Sequence, residues 1–167
     1  GHAAAEAATL AGAEVVVLRS ATATRERVEA EALAADLVVG AVFVPASPTP
    51  RLLPRSLVRR MRAGAMIVDI SIDAGGVAET SRPTTHDNPV YVEEGVTHYC
   101  VANMPGAYAR TATQALTNVT YRYIELLADS GLAEACQRQP ALLSGINIMN
   151  GQLTYKAVAE AHGLPFS

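Results

Sequence analysis

Three short β-branched runs, set apart by helix-length stretches, constrain this chain more than any other feature. Glu14-Val15-Val16-Val17-Leu18, Leu37-Val38-Val39-Gly40-Ala41-Val42 and Ala65-Met66-Ile67-Val68-Asp69-Ile70-Ser71-Ile72 are nearly continuous apolar segments. They lack the strict polar alternation of a strand with one wet face, and so read as strands of a parallel sheet buried on both faces. Helical patterns lie between them. Residues 2–10 are alanine-rich, with Gly12 placed to end that helix in a left-handed cap. Thr22 or Thr24 can cap a second helix running to about Ala35. Four prolines between Pro45 and Pro54 make a loop, and Pro54 fits the first turn of a short helix through Met61. Gly40 suits a close backbone approach within its strand, and Gly64 a helix stop. A last strand, 97–102, follows an irregular polar stretch. The order helix, strand, helix, strand, helix, strand, strand predicts an α/β domain with a mainly parallel sheet.

After Pro105 the pattern turns helical. Ala112, Ala115, Leu116, Val119, Tyr123, Leu126 and Leu127 recur at spacings of three and four, which predicts a helix buried along one face. Thr111 fits its cap and Gly131 its stop, and Tyr121 and Tyr123 belong to its packing. Shorter helices are expected over 132–138 and 153–161. The division is a partial α/β domain over 1–105 and a helical extension over 106–167.

Composition narrows the function. Half of the 167 residues are hydrophobic and 17% are charged, which excludes a disordered chain. A net charge of −3 argues against a large basic surface for nucleic acid. Lys156 is the only lysine, so an internal lysine base is nearly excluded. Cys100 and Cys136 stand far apart and read as two buried thiols in a reducing compartment. His86, His98 and His162 have no partner at ligand spacing, so no metal site is expected. His98 reads as a packed strand residue, and His86 is the one histidine near the segments described next. The longest strongly apolar run, 37–46, is too short to cross a bilayer, and no signal peptide is visible, so a soluble cytoplasmic protein is expected. The chain enters a helical pattern directly at Gly1, as a sequence cut within a domain does.

The chemistry gathers after the third run. Asp73 closes it, Gly75-Gly76 follows, and ligands of open parallel sheets bind at the carboxyl ends of strands. Ser81-Arg82-Pro83-Thr84-Thr85 and Val101-Ala102-Asn103-Met104-Pro105 supply a cation and an amide nearby.

Read together, Val68-Asp69-Ile70-Ser71-Ile72-Asp73 with Gly75-Gly76 and these two segments resemble the C-terminal part of alanine dehydrogenase, in the alanine dehydrogenase/transhydrogenase family. Ala35-Asp36-Leu37-Val38-Val39-Gly40-Ala41-Val42 and Ala115-Leu116-Thr117-Asn118 extend the resemblance, in order, over nearly the whole chain. It implies an incomplete Rossmann-type α/β fold and the NAD-dependent, reversible deamination of L-alanine to pyruvate and ammonia. It places Asp73, as the catalytic acid residue of this chain, beside the nicotinamide ribose and reacting centre. It places NAD contacts on Val42, Phe43, Ile70, Ser71, Ile72, Asp73, Arg82, Val101, Ala102, Asn103 and Met104. Apolar side chains and backbone can sandwich the rings, while Arg82 reaches a phosphate or ribose edge. A homo-oligomer is implied as well.

The chain also departs from that pattern. No G-x-G-x-x-G occurs, and Gly1 alone aligns with the last glycine of that motif, so the first strand and phosphate loop are missing. Leu18-Arg19-Ser20 stands where an acid binds the adenine ribose, which leaves NADP open. The 18 residues from Arg19 to Asp36 have room for one helix and no further strand. The N-terminal substrate domain, with its histidine, lysine and arginine, is absent, so the isolated chain is expected to be inactive. Two other readings stand: a degenerate oligomerisation or regulatory partner of a complete enzyme, and the nucleotide-binding subunit of a pyridine nucleotide transhydrogenase.

Overall fold

The computed structural model describes residues 1–44 and 48–166. Pro45, first of the four loop prolines, and Ala46, the end of the longest apolar run, lie outside the described residues. The chain forms two compact units, Gly1–Met104 and Pro105–Ser167.

In the first unit α1 (His2–Leu10) ends as the alanine-rich pattern predicts. Gly12 sits at φ 85°. Its N–H donates to Thr9 O and that of Ala13 donates to Ala8 O, both at 3.0 Å, satisfying carbonyls the helix leaves unpaired. Thr24, rather than Thr22, caps α2 (Arg25–Ala34), its hydroxyl accepting from the Arg27 N–H at 3.3 Å. Strand β1 (Leu37–Gly40) leads to α3 (Arg55–Val58), a helix shorter than predicted that starts directly after Pro54. Then come β2 (Met66–Asp69), β3 (Val90–Glu93) and β4 (Val96–Tyr99).

The sheet order is β1-β2-β4-β3. The first three strands are parallel, with Leu37 opposite Met66 and Met66 opposite Thr97. The sheet is mainly parallel, as expected, but β3 is antiparallel to β4. In this hairpin β4 is the strand predicted over 97–102, starting one residue earlier and ending at Tyr99, while β3 forms within the stretch read as irregular. Glu94 at φ 53° and Gly95 at φ 77° form its two-residue turn, the pair of left-handed residues that matches the twist of the strands.

The core lies on one face, where Val28 and Ala32 of α2 and Leu57 and Val58 of α3 meet Ile67 and Val96. Burial on both faces does not hold. Leu37 is 50% exposed and Val39 36%, because within this unit the packed helices cover only the Val38 and Ile67 side. The first run fails as a strand altogether. Residues 14–18 are extended but join no ladder, and Val16 and Val17 are about half exposed. A strand exists only through a hydrogen-bonded neighbour, and none of the described residues lies alongside to supply one.

The second unit is built on α4 (Ala109–Arg138), which Gly131 breaks at φ 69°, ψ 170°, so that two helices meet there. Gly131 thus stops the first helix as predicted, but Thr111 is not its cap: the helix begins after Tyr108 with no side-chain cap. The predicted buried face holds only in part. Leu116 (63%) and Val119 (57%) are exposed, as are Tyr121 and, off that face, Ile124 (62%). Ala112, Tyr123, Leu126 and Leu127 are half-buried, and of α4 only Ala135 and Cys136 are fully buried. Heptad-like spacing marks a face that can be buried; burial needs a partner, and this unit covers only the far end of α4. A hairpin of β5 (Ile148–Met149) and β6 (Gln152–Leu153) turns at Asn150-Gly151, both with positive φ, and displaces the start of the predicted last helix to α5 (Lys156–His162). Among the described residues no helix is long and apolar enough to cross a membrane.

On the acid side, two groups make the stability of the first unit pH-dependent. His98 is fully buried, donates from Nδ1 to Val96 O at 2.9 Å and shares 2.8 Å from Nε2 with the Thr80 hydroxyl. Burial pushes its pKa below the usual 6.5, so the unfolded chain takes up a proton there that the folded chain refuses. The contribution of His98 is therefore expected to be constant above about pH 7 and to fall as pH drops below about 6.5. Glu94 behaves as a second step. Arg59 and Arg55 hold its carboxylate at 2.8–3.0 Å and lower its pKa to about 2, so its contribution is present above about 4.5 and lost toward 2. Urea midpoints across pH should lose the first step in His98→Gln and the second in Glu94→Gln.

Candidate functional site

Because β1, β2 and β4 are parallel, their carboxyl ends share one end of the sheet. Two of the three segments singled out in the sequence leave from there, Ile70 to Asp73 after β2 and Val101 to Met104 after β4, together with Val42 and Phe43 after β1, to which the resemblance assigns cofactor contacts.

A buried carboxylate organises this end. Asp69, the last residue of β2, has no exposed surface. Its Oδ1 accepts the Ser71 N–H at 3.1 Å, and its Oδ2 accepts the Val77 N–H at 2.7 Å and the Ser81 hydroxyl at 2.6 Å. The bond to Ser71, two residues on, is an Asx turn. It ends the strand three residues before the apolar run ends, so the predicted strand to Ile72 is shortened. The bonds to Val77 and Ser81 fold the next loop back over the carboxylate. Gly76 completes that fold at φ 83°, where a Cβ would lie 2.6 Å from Asp69 Oδ2 and 2.9 Å from Ser81 Cβ.

Ser71 ties the first two segments together. Its hydroxyl donates to Val42 O at 2.8 Å and accepts the Val42 N–H at 2.7 Å. The Ile70 N–H donates to Gly40 O at 2.8 Å. Gly40 allows the close approach expected of it, since a Cβ there would lie 2.3 Å from Val77 Cγ2. The third segment is tied to the arginine loop. Thr84 bridges Val101, its N–H donating to Cys100 O at 2.9 Å and its carbonyl accepting from Ala102 at 3.2 Å. His86 Nε2, on the arginine loop, lies 3.0 Å from Asn103 O, a second tie between that loop and the segment after β4. Asn103 holds φ 58°.

The predicted residues divide by what they can present. Asp73 is exposed on the turn Ile72–Ala74, and among the described residues nothing hydrogen-bonds to its carboxylate. Phe43 is 82% exposed and Ile70 42%, so both can offer apolar side chains. Ile72 (4%), Ser71 (8%) and Val101 (1%) are buried as whole residues, main chain included, so they shape the strand ends from beneath rather than present atoms at the surface. Arg82 forms no ion pair among the described residues; its guanidinium lies over the Tyr91 ring, 3.9 Å from the centroid. Asp69, Gly76 and Ser81 lie within the segments singled out in the sequence, but their part in one buried hydrogen-bonded turn, and the part of Tyr91, emerge only from the structure. An acid inside the aliphatic run Ile67-Val68-Asp69-Ile70 was the available signal, since a buried carboxylate must be hydrogen-bonded.

These residues suit the nicotinamide half of a dinucleotide: exposed apolar side chains, an unpaired carboxylate and an arginine. The sequence has no glycine-rich loop for the pyrophosphate. Arg19 lies apart, lining an open cleft of about 410 Å³ with His2, Glu6, Val15 and Val17.

An open, mainly parallel α/β sheet whose strand-end loops converge in this way defines the chain as a Rossmann-like domain of the kind found in nucleotide-binding oxidoreductases. Comparison with known proteins narrows the class. The family described as alanine dehydrogenase/PNT, C-terminal domain, matches residues 1–156. The chain belongs to that family. Alanine dehydrogenase of Halomonas elongata is 47% identical over 149 residues, 89% of this chain and 40% of that protein. That of Lysinibacillus sphaericus is 53% identical over 132 residues, 78% of this chain and 36% of that protein. A solved L-alanine dehydrogenase superposes with a TM-score of 0.74 at 43% identity, over 95% of this chain and 43% of that one. A transhydrogenase from Sinorhizobium meliloti, at 22% identity and TM-score 0.58 over 78% of this chain and 37% of that one, shares the fold alone. The chain thus spans 36–40% of the length of these two curated relatives.

Asp69→Asn should separate scaffold from surface. Asparagine turns an acceptor into a donor facing Val77 N–H, and a buried bond lost in this way costs roughly 1–3 kcal/mol. Urea unfolding should register that loss in Asp69→Asn and almost none in Asp73→Asn, whose carboxylate bonds to nothing described.

Proposed function

We propose that this chain is the NAD(H)-binding part of an alanine dehydrogenase, acting on L-alanine and pyruvate together with a substrate domain that this sequence does not contain. The observation that carries the reading is that three strand-end segments leave one end of a parallel sheet, two tied together by Ser71 and the third tied by Thr84 to the arginine loop, with an exposed Asp73 carboxylate on one of them that has no described partner. Exposed Phe43 and Ile70, with Val42, Ala102 and Met104 at the same strand ends, line the dinucleotide, and buried Ser71, Ile72 and Val101 hold those strand ends in place. Asn103 bonds its polar edge, and Arg82 takes a phosphate or ribose oxygen. Bound NAD supplies the hydride acceptor. Asp73 orients the nicotinamide ribose and holds negative charge beside the reacting centre.

The protein acts in the cytoplasm as a homo-oligomer. The exposed Leu116, Val119 and Ile124 of α4 support self-association, because an apolar face of this kind is stable in water only when covered. The same face favours a second reading, in which the chain serves chiefly as an association partner of a complete enzyme.

Calorimetric titration with NADH distinguishes them. Saturable one-to-one binding, weakened in Asp73→Asn or Arg82→Met, is expected, with no alanine-dependent NADH formation by the purified 167-residue chain. No binding at millimolar NADH, together with a stable complex with a full-length relative, would establish the association reading. An alanine-dependent NADH signal would show that the chain needs no other domain.

A further inference from the structure

Arg82 is held at both ends of its length by one aromatic residue. Tyr91 of β3 stands opposite His98 of β4 in the hairpin register, and the two rings stack at 4.9 Å with 15° between their planes. The Arg82 guanidinium carbon lies 3.9 Å from the centroid of the same tyrosine ring. The phenol oxygen meanwhile accepts the Arg82 main-chain N–H at 2.9 Å and donates to Thr80 O at 2.7 Å. Thr80 in turn binds His98 Nε2 through its hydroxyl at 2.8 Å. With His98 Nδ1 donating to Val96 O, Nε2 of the neutral ring is the acceptor. Ring, hydroxyl and threonine therefore form one closed network beneath the arginine.

The chemistry of the stack matters for what Arg82 can bind. A guanidinium lying on an aromatic face uses its own face, and its N–H donors point outward in its plane. No described carboxylate takes those donors, in contrast to Arg55 and Arg59, which are spent on Glu93 and Glu94. An arginine held this way has already lost much of its rotamer freedom, so an anion that meets it need not order it.

We propose that Tyr91 is a positioning residue for the cofactor: its ring and hydroxyl preset Arg82 so that the guanidinium edge meets an oxygen anion of NADH. This rests on the reading of Arg82 as a cofactor contact. Tyr91 itself touches no ligand; its effect runs through Arg82.

A double-mutant cycle on NADH affinity tests it, with Tyr91→Leu, Tyr91→Phe and Arg82→Met, singly and combined, in the whole chain. Tyr91→Leu is expected to weaken NADH about three- to tenfold, the range of a cation–π contact at a partly exposed site. In the Arg82→Met background the same change should have no further effect. Tyr91→Phe, which keeps the ring, should lose less than Tyr91→Leu, and its fold is the safer of the two. The NMR shift of the Arg82 Nε–H, read without ligand, should keep its ring-current displacement in Tyr91→Phe and lose it in Tyr91→Leu. Equal losses from Tyr91→Leu in both backgrounds would mean a merely structural role and overturn the inference, as would no loss where Arg82→Met weakens binding. A parent chain that binds no NADH, or binds it equally well as Arg82→Met, would overturn the cofactor reading of Arg82 and this inference with it, while the Nε–H shift would still report whether the stack exists.

Discussion

The first unit depends on one buried carboxylate. Asp69 has no exposed surface and accepts three hydrogen bonds, from the main chain of Ser71 and Val77 and from the hydroxyl of Ser81. Each bond fixes a different part of the site. The first turns the chain out of β2 and sets Ser71 where its hydroxyl clamps Val42. The second brings Val77 under Gly40, where no side chain but hydrogen fits. The third anchors the residue next to Arg82. An isolated carboxylate is too costly to bury, so its donors must be satisfied together, and satisfying them together shapes the loop.

The division of labour between Asp69 and Asp73 follows. Both lie in one aliphatic run, four residues apart, yet one is saturated with donors and the other has no described partner. A scaffold acid needs its lone pairs filled. An acid meant for a ligand must keep them open. Arg82 shows the same logic for a cation: its face is occupied by Tyr91 while its edge stays free.

Much of this was legible in residue patterns. The alternation of apolar runs with helix signals led to the mainly parallel α/β sheet, Gly12 and Thr24 marked helix ends that the structure keeps, and Gly40 marked a close contact. The resemblance of three segments to alanine dehydrogenase agrees with the family match over residues 1–156. The hairpins were also written in the chain, as Glu94-Gly95 and Asn150-Gly151, but their two-residue turn signals were overlooked. Two failures share one reason. Residues 14–18 have strand composition without a ladder, and Leu116 and Val119 have core spacing without a core.

The sequence by itself determined the type of each element, the class of sheet and the segments that carry chemistry, because these follow from side chains close together in the chain. Only the tertiary structure decided which apolar faces are covered, which aspartate is buried, and that Tyr91 lies beneath Arg82. Those outcomes depend on what arrives from elsewhere in the chain: a neighbouring strand, three donors for one carboxylate, a ring from the next hairpin. Local spacing states what a residue is able to do; the contacts made across the fold determine which of those possibilities it realises.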